Sequence, residues 1–205
     1  MEGYTTIKER AHFEFEDRKS RFFGDAMPVE TEEEALAFIE HIRKKYPDAN
    51  HHVYAYVIKE NSIMRFTDDR EPQGTAGMPV LDIIRKNGCT NTVIVVTRYF
   101  GGTLLGTGGL VHAYSSAALG ALKEAGVITY DLYTRYKLIT SYSDFQKLGN
   151  IFGEFEFREE ESLYSDVIEI LGRVRSEISD KFEAKLIEIT SGRIKFEKKD
   201  EIFDF

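Results

Sequence analysis

Thr97-Arg98-Tyr99-Phe100-Gly101-Gly102-Thr103-Leu104-Leu105-Gly106-Thr107-Gly108-Gly109 joins an unbroken apolar strand to a helix, and its reading decides the fold of the first half of the chain. The strand before it, Val93-Ile94-Val95-Val96, is four β-branched residues in a row, the pattern of a strand buried on both faces. After it, Leu110, Val111, Tyr114, Ala117, Ala118, Ala121 and Leu122 recur at helical spacing, which predicts a helix from about Gly108 to Ala125. Between strand and helix lie five glycines, Gly101, Gly102, Gly106, Gly108 and Gly109, and one arginine, Arg98. Glycine permits φ > 0 and close approach of a backbone to a ligand or another segment. A helix start offers unpaired N–H groups and a partial positive charge, so an anion can bind there, and Arg98 adds a planar cation. A tight structural turn explains the same glycines equally well. The run is neither a Walker loop, since no Gly-Lys-Ser/Thr follows, nor a G-x-G-x-x-G fingerprint.

Working outward, Ala11 to Val29 suggests two strands around His12-Phe13-Glu14-Phe15 and Ser20 to Val29. Thr31-Glu32-Glu33-Glu34 is a capping box for a helix that ends near Lys45. His51 to Ile58 reads as a strand, and Ser62 to Thr67 as its hairpin partner. A long polar loop, Asp68-Asp69-Arg70-Glu71-Pro72-Gln73-Gly74-Thr75-Ala76-Gly77, then leads into a helix from Met78 to Lys86 that Asn87-Gly88 ends. From about residue 131 the pattern changes. A strand from Tyr133 to Tyr142, a capping box at Ser143-Asp144-Phe145-Gln146, strands at about 154–159 and 165–174, a helix bearing Ile178, Phe182, Leu186 and Ile189, and a strand at 193–197 give the order β-α-β-β-α-β. The expected class is α+β, in two domains: 1–131, glycine-rich and α/β in pattern, and 132–205, ferredoxin-like.

Asp68, Asp69 and Glu71 put three carboxylates within four positions, and such a cluster can hold Mg²⁺ beside a phosphate. Acidic residues with Pro72 and Gly74 are also ordinary turn chemistry, the reading the residues favour. Both loops join a strand to a helix, so Asp69, Glu71 and Thr75 are expected at the same end of the sheet as Arg98. His51 and His52 point to opposite faces of a strand and cannot share a metal. Ser115 and Ser116 lack a neighbouring base, so no hydrolase triad emerges, and neither a metal nor a cofactor is expected. In the second half, Phe152, Phe155, Phe157, Tyr164 and Phe196 are read as core rather than as stacking surfaces for RNA bases.

Composition narrows the function classes. The formal net charge is −8, with 15 Lys+Arg against 18 Asp+Glu in residues 1–130 and 12 against 17 in residues 131–205. That balance argues against tight nonspecific binding of nucleic acid. Cys89 is the single cysteine, so no internal disulfide can form, which fits a reducing cytoplasm. No apolar run reaches the length of a membrane span, and Met1-Glu2-Gly3-Tyr4 is no secretory signal.

Asp68 to Pro79, followed by Val95-Val96-Thr97-Arg98-Tyr99-Phe100-Gly101-Gly102 and Leu105-Gly106, resembles the YigZ/Impact family, and Thr190-Ser191-Gly192-Arg193 resembles the C-terminal domain of its bacterial members. The resemblance implies a first domain similar to domain IV of elongation factor G and to the nucleotide-binding lobe of GHMP-class kinases. It implies a second domain similar to domain V of that factor. Eukaryotic relatives regulate translation by competing for a partner in the amino-acid-starvation kinase pathway, using an additional N-terminal domain. The implied function is a non-enzymatic binding or regulatory protein whose partner is the ribosome, RNA or a translation-regulating protein. The alternative is a phosphate- or nucleotide-binding enzyme with Mg²⁺ on the acidic loop. The family pattern has glycine where this chain has Arg70.

Overall fold

A computed structural model of the chain describes residues 3–59 and 62–205; Met1 and Glu2, the first residues of the N-terminus read above for a signal, lie outside them. The chain divides into two compact units, Tyr4–Thr129 and Tyr130–Phe205, the latter with Gly3.

In the first unit, β2 (Ala11–Asp17), β3 (Ser20–Pro28), β4 (His51–Ile58), β5 (Ile63–Thr67) and β6 (Thr92–Tyr99) form one sheet in the order β2-β3-β6-β4-β5. Every pairing in it is antiparallel. The α/β pattern of the sequence therefore folds as a mixed sheet-and-helix unit without parallel crossovers. β6 is central, and its alternation assigns its side chains to two cores. Ile94 and Val96 face the core that holds α2 (Gly77–Lys86) and α3 (Gly106–Ala125), while Val93 and Val95 face α1 (Glu32–Lys45). Burying each such side chain stabilises the fold by about 1.5–3 kcal/mol. Thr31 Oγ1 accepts from Glu34 N as a capping box requires, but the Glu34 carboxylate reaches back to Glu30 N.

Helix α3 lies close on the sheet because small residues meet there. A Cβ on Gly24 would stand 2.4 Å from the Ala117 carbonyl oxygen, with Ala121 beside it. A first strand, β1 (Tyr4–Ile7), escapes the alternation test because it is short; Thr90 N donates to Thr5 O at 2.8 Å. The α3 helix begins at Gly106, two residues before the sequence-based start, since Gly106 itself takes φ 72° and turns the chain into the helix.

The second unit has β7 (Val127–Thr140) from Tyr130 onward, α4 (Tyr142–Glu154), β8 (Arg158–Tyr164), β9 (Ile168–Arg175), α5 (Ser179–Thr190) and β10 (Lys195–Asp204). Its strands lie in the order β10-β7-β9-β8, with antiparallel pairs. The core includes Tyr136, Leu138, Leu148, Ile151, Ile170, Phe182 and Leu186, with Phe152, Phe155 and Phe196 packed against it. Phe157 stacks on Phe152 at 4.4 Å, whereas Tyr164 is exposed.

Two boundaries differ from the sequence reading. The run Glu154-Phe155-Glu156-Phe157 alternates like a strand, yet Phe155 N donates to Ile151 O and Phe157 N to Phe152 O, which closes α4 instead. Phe152 and Phe155 continue the stripe of Phe145 and Leu148 at helical spacing, and helical packing prevails. The N-cap of α4 is Ser141, two residues before the expected box, with Ser141 Oγ accepting from Asp144 N at 3.3 Å.

Asp144 is buried, accepts a bidentate pair from Arg193 at 2.9 and 2.7 Å, and accepts from Lys147 Nζ at 2.8 Å. Hydrogen bonds from Arg193 and Lys147 hold its carboxyl well below the ordinary 3.8. A lowered folded-state pKa gives stability that is fully present above 3.8 and is lost as pH falls through the lowered value. Asp144→Asn is accordingly expected to flatten the stability-against-pH curve in that acid range, as followed by far-UV circular dichroism in urea. An unchanged acid limb would contradict this.

Candidate functional site

The polar loop and the glycine loop meet at one end of the first unit's sheet, and a buried carboxylate joins them. Glu71 Oε1 accepts from Arg98 Nη1 at 2.6 Å and from the Tyr114 hydroxyl at 2.7 Å. The three residues come from the polar loop, the end of β6 and the third turn of α3, so this junction fixes loop, strand and helix together. The Glu71 and Arg98 side chains are only 5% and 6% exposed. Burial, then the Glu71 charge, pushes the Tyr114 phenol well above its usual range, so it stays a proton donor. Arg98 lies over the rings of Phe22 and Phe100 at 5.5 and 5.4 Å, and its Nη2 reaches Ser20 Oγ at 3.4 Å.

The other loop carboxylates turn to different donors. Asp68 accepts from the backbone N–H groups of Gly74, Ala76 and Gly77 at 2.9, 3.1 and 2.8 Å, which satisfies the start of α2 in place of a side-chain cap. Asp69 Oδ2 accepts from His52 N at 2.6 Å, and Asp69 O faces His51 Nδ1 at 2.8 Å, which places the proton of that ring on Nδ1. Thr75 Oγ1 donates to Pro72 O at 2.6 Å. Three acidic residues adjacent in sequence are thus separated in space. Among the described residues no group of three His, Cys, Asp or Glu side chains could hold a metal ion. Nor does any described serine or cysteine side chain hydrogen-bond a histidine.

Asp69 and Arg70 both take positive φ, 41° and 70°. Arg70 thus holds a left-handed backbone of the kind that favours glycine, and its Nη2 donates to Asn50 O at 3.1 Å. A left-handed L-residue costs about 1–2 kcal/mol, more than one exposed hydrogen bond returns. Arg70→Gly is expected to raise stability by about 1 kcal/mol in urea unfolding. A loss would mean that the guanidinium contact outweighs the strain.

The glycine loop closes against two neighbours. Phe100 N donates to Asn50 Oδ1 at 2.7 Å, and Asn50 N to Arg98 O at 3.0 Å. Gly101 N donates to Ser20 Oγ at 3.2 Å, and its Cα approaches the Lys19 carbonyl so closely that a Cβ would stand 2.0 Å from it. Gly102 takes φ 83°. Gly108 borders open space and Gly109 lies under Leu105. The first turn of α3 has no side-chain cap and no acidic residue.

Between the loops opens a cleft of about 430 Å³, lined by Asn50, His51, Glu71, Pro72, Arg98, Phe100, Leu104, Leu105, Gly106, Thr107 and Leu110. Of the residues expected at a site, Glu71, Arg98 and Gly106 line it. Gly101, Gly102, Gly108, Gly109, Asp69 and Thr75 shape the loops around it. Asn50, Phe100, Leu104 and Tyr114 were not singled out from sequence. Leu104, 82% exposed inside a glycine-rich loop, is the one whose apolar character offered a signal.

The described residues contain no helix long and apolar enough to cross a membrane. The Impact N-terminal domain matches residues 18–122, and a domain of unknown function (DUF1949) matches residues 138–193. The chain is 37% identical over 194 residues to the IMPACT family member YvyE of Bacillus subtilis (strain 168), covering 94% of this chain and 89% of that one. It is 33% identical to the IMPACT family member YigZ of Escherichia coli (strain K12), covering 87% and 89%. A solved crystal structure of a hypothetical protein superposes with a TM-score of 0.61 at 31% identity, covering 98% of both chains. With the two loops assembled as described and relatives aligned along most of its length, the chain belongs to the IMPACT family.

Proposed function

We propose that this chain is a cytoplasmic binding and regulatory protein linked to translation, and that it acts through the cleft between the polar and glycine loops. The observation that carries the reading is the Glu71–Arg98–Tyr114 junction. It uses the ionisable groups nearest the cleft floor to hold its walls in place, as a preformed binding surface requires, and leaves apolar side chains at the rim. On this reading Arg98, Glu71 and Gly106 form the floor. Gly101, Gly102, Gly108 and Gly109 let the loop and the helix start approach a partner, and Asp69 and Thr75 hold the opposite loop. The link to translation rests on the family resemblance.

We further infer that residues 1–131 and 132–205 are separate domains, related to domains IV and V of elongation factor G. The strand order β10-β7-β9-β8 around two helices supports a ferredoxin-like second domain.

Sedimentation of tagged protein through sucrose gradients of cell extract tests the function. The parent is expected to travel in part with the translation machinery, and Leu104→Asp, altered only at an exposed side chain, to stay at the top. A parent that never sediments with that machinery, or a variant that sediments with it equally, would overturn the reading.

A further inference from the structure

A sheet edge exposes unpaired backbone, and proteins commonly guard it with charge. The edge strand β2 carries Glu14, Glu16 and Asp17, and the edge strand β8 carries Glu159, Glu160 and Glu161. β5, the outer strand beside β4, reads Ile63-Met64-Arg65-Phe66-Thr67 and has no acidic residue. Its bonding direction follows from β4. His52 N donates to Asp69 Oδ2 on the β5 side, and Lys59 N to Asn91 Oδ1 on the β6 side. Even-numbered residues of β4 therefore bond β5, and Tyr54, Tyr56 and Ile58 stand opposite Thr67, Arg65 and Ile63. Met64 and Phe66 are left with N–H and C=O turned outward. There the Met64 carbonyl accepts from Arg65 Nη1 at 3.0 Å, a guanidinium on a side chain 61% exposed. Arg65 Nε also stands 3.9 Å from Glu32, whose carboxylate already holds the Tyr56 hydroxyl.

The side chains of this edge form an apolar strip beside α2. Met64 and Phe66 are 37% and 40% exposed, and Met78 of α2 is 38% exposed. Phe66 lies against the start of α2, where a Cβ on Gly77 would stand 2.9 Å from its ring. A groove of about 500 Å³ is lined by Met64, Asp82, Arg85 and Lys86, with both cations sharing the one carboxylate at 4.0 and 3.9 Å.

Charge decides between occupants. A two-fold pairing of β5 with a second copy that bonds both Met64 and Phe66 puts Arg65 directly opposite its mate, at a non-hydrogen-bonded pair where side chains are closest. Like charges in that position are destabilising, whereas an acidic residue there is favourable. Arg85 and Lys86 beside the strip favour the same sign.

We propose that β5 is a strand-addition site for an extended segment of another protein, with an acidic residue opposite Arg65 between two apolar ones. The acid draws the Arg65 guanidinium off the Met64 carbonyl, and a backbone N–H of the segment takes its place. The flanking apolar side chains pack beside Met64, Phe66 and Met78, so the backbone supplies affinity and the alternation supplies specificity. None of these residues lines the cleft between the polar and glycine loops, and the two surfaces are distinct.

The test titrates isotopically labelled full chain, in two-dimensional NMR, with a heptapeptide alternating Val and Glu and with its Val/Lys counterpart. On binding the Val/Glu peptide, amide exchange is expected to slow at Met64 and Phe66 and to stay unchanged at Arg65 and Thr67, which β4 already holds. The Val/Lys peptide is expected to bind about tenfold more weakly, and Arg65→Glu to reverse that order. Met64→Pro removes an outward N–H without touching a ladder bond, and is expected to weaken the Val/Glu peptide by about tenfold or more, its fold being checked by the same spectrum. The proposal is overturned if neither peptide binds, if protection is equal at all four amides, or if Arg65→Glu keeps the parent's preference. Protection of Met64 and Phe66 that rises with protein concentration and needs no peptide also overturns it, since the occupant is then a second copy.

Discussion

Arg98→Met is expected to destabilise the first unit by about 3–5 kcal/mol, because it leaves the Glu71 carboxylate buried without its cation. The pair is nearly inaccessible, and its 2.6 Å contact is the centre of the loop junction. Removing both charges at once is far milder: in Arg98→Met/Glu71→Gln the amide oxygen still accepts from Tyr114 and no ion is stranded. The double variant is expected to recover about 2 kcal/mol relative to the sum of the two single changes. The chain has no tryptophan, so urea unfolding is followed by far-UV circular dichroism. A loss under about 1 kcal/mol for Arg98→Met would place the pair among surface ion pairs.

Gly101→Ala carries the second large effect. Its new Cβ would stand 2.0 Å from the carbonyl carbon and oxygen of Lys19, atoms of a backbone that cannot rotate away. Arg18 and Lys19 already take positive φ, 44° and 68°, in the turn between β2 and β3, so that turn has little freedom to give. A loss of about 1–3 kcal/mol is expected in urea, from overpacking and displacement of the turn. Gly108→Ala is the internal contrast: nothing lies within 4 Å of its Cβ position, and it sits inside α3. There alanine is expected to gain about 0.5–1 kcal/mol. Equal effects at the two positions would contradict the close approach at Gly101.

Much of this was readable from the residues. The β-branched run at 93–96 announced a strand buried on both faces, and β6 separates two cores. The His51–Ile58 strand and the helix after the polar loop follow from alternation and from the Asn87-Gly88 stop. Edges were harder wherever two local signals compete. Glu154 to Phe157 alternates like a strand but completes a helical stripe, and Ser141 and Ser143 both offer N-caps, only one of which meets the end of β7. The candidate site was legible as a place and not as a wiring diagram. Sequence put Arg98 and Glu71 on loops at one end of the sheet. It gave no sign that they neutralise each other, because that contact spans 27 positions and needs Tyr114 from a third element. The planar cation expected from sequence at Arg98 is therefore held by Glu71 through Nη1, while its buried Nε has no hydrogen-bond partner.

Photo-crosslinking in living cells tests most directly whether the cleft between the two loops is where the protein meets its partner. p-Benzoylphenylalanine is placed at Leu104 on the cleft rim and, as a control, at Ile187, equally apolar and 47% exposed on α5. A discrete protein adduct from position 104, absent from position 187, is the expected result. Adducts of the same mass and yield from both positions, or from position 187 alone, would contradict it.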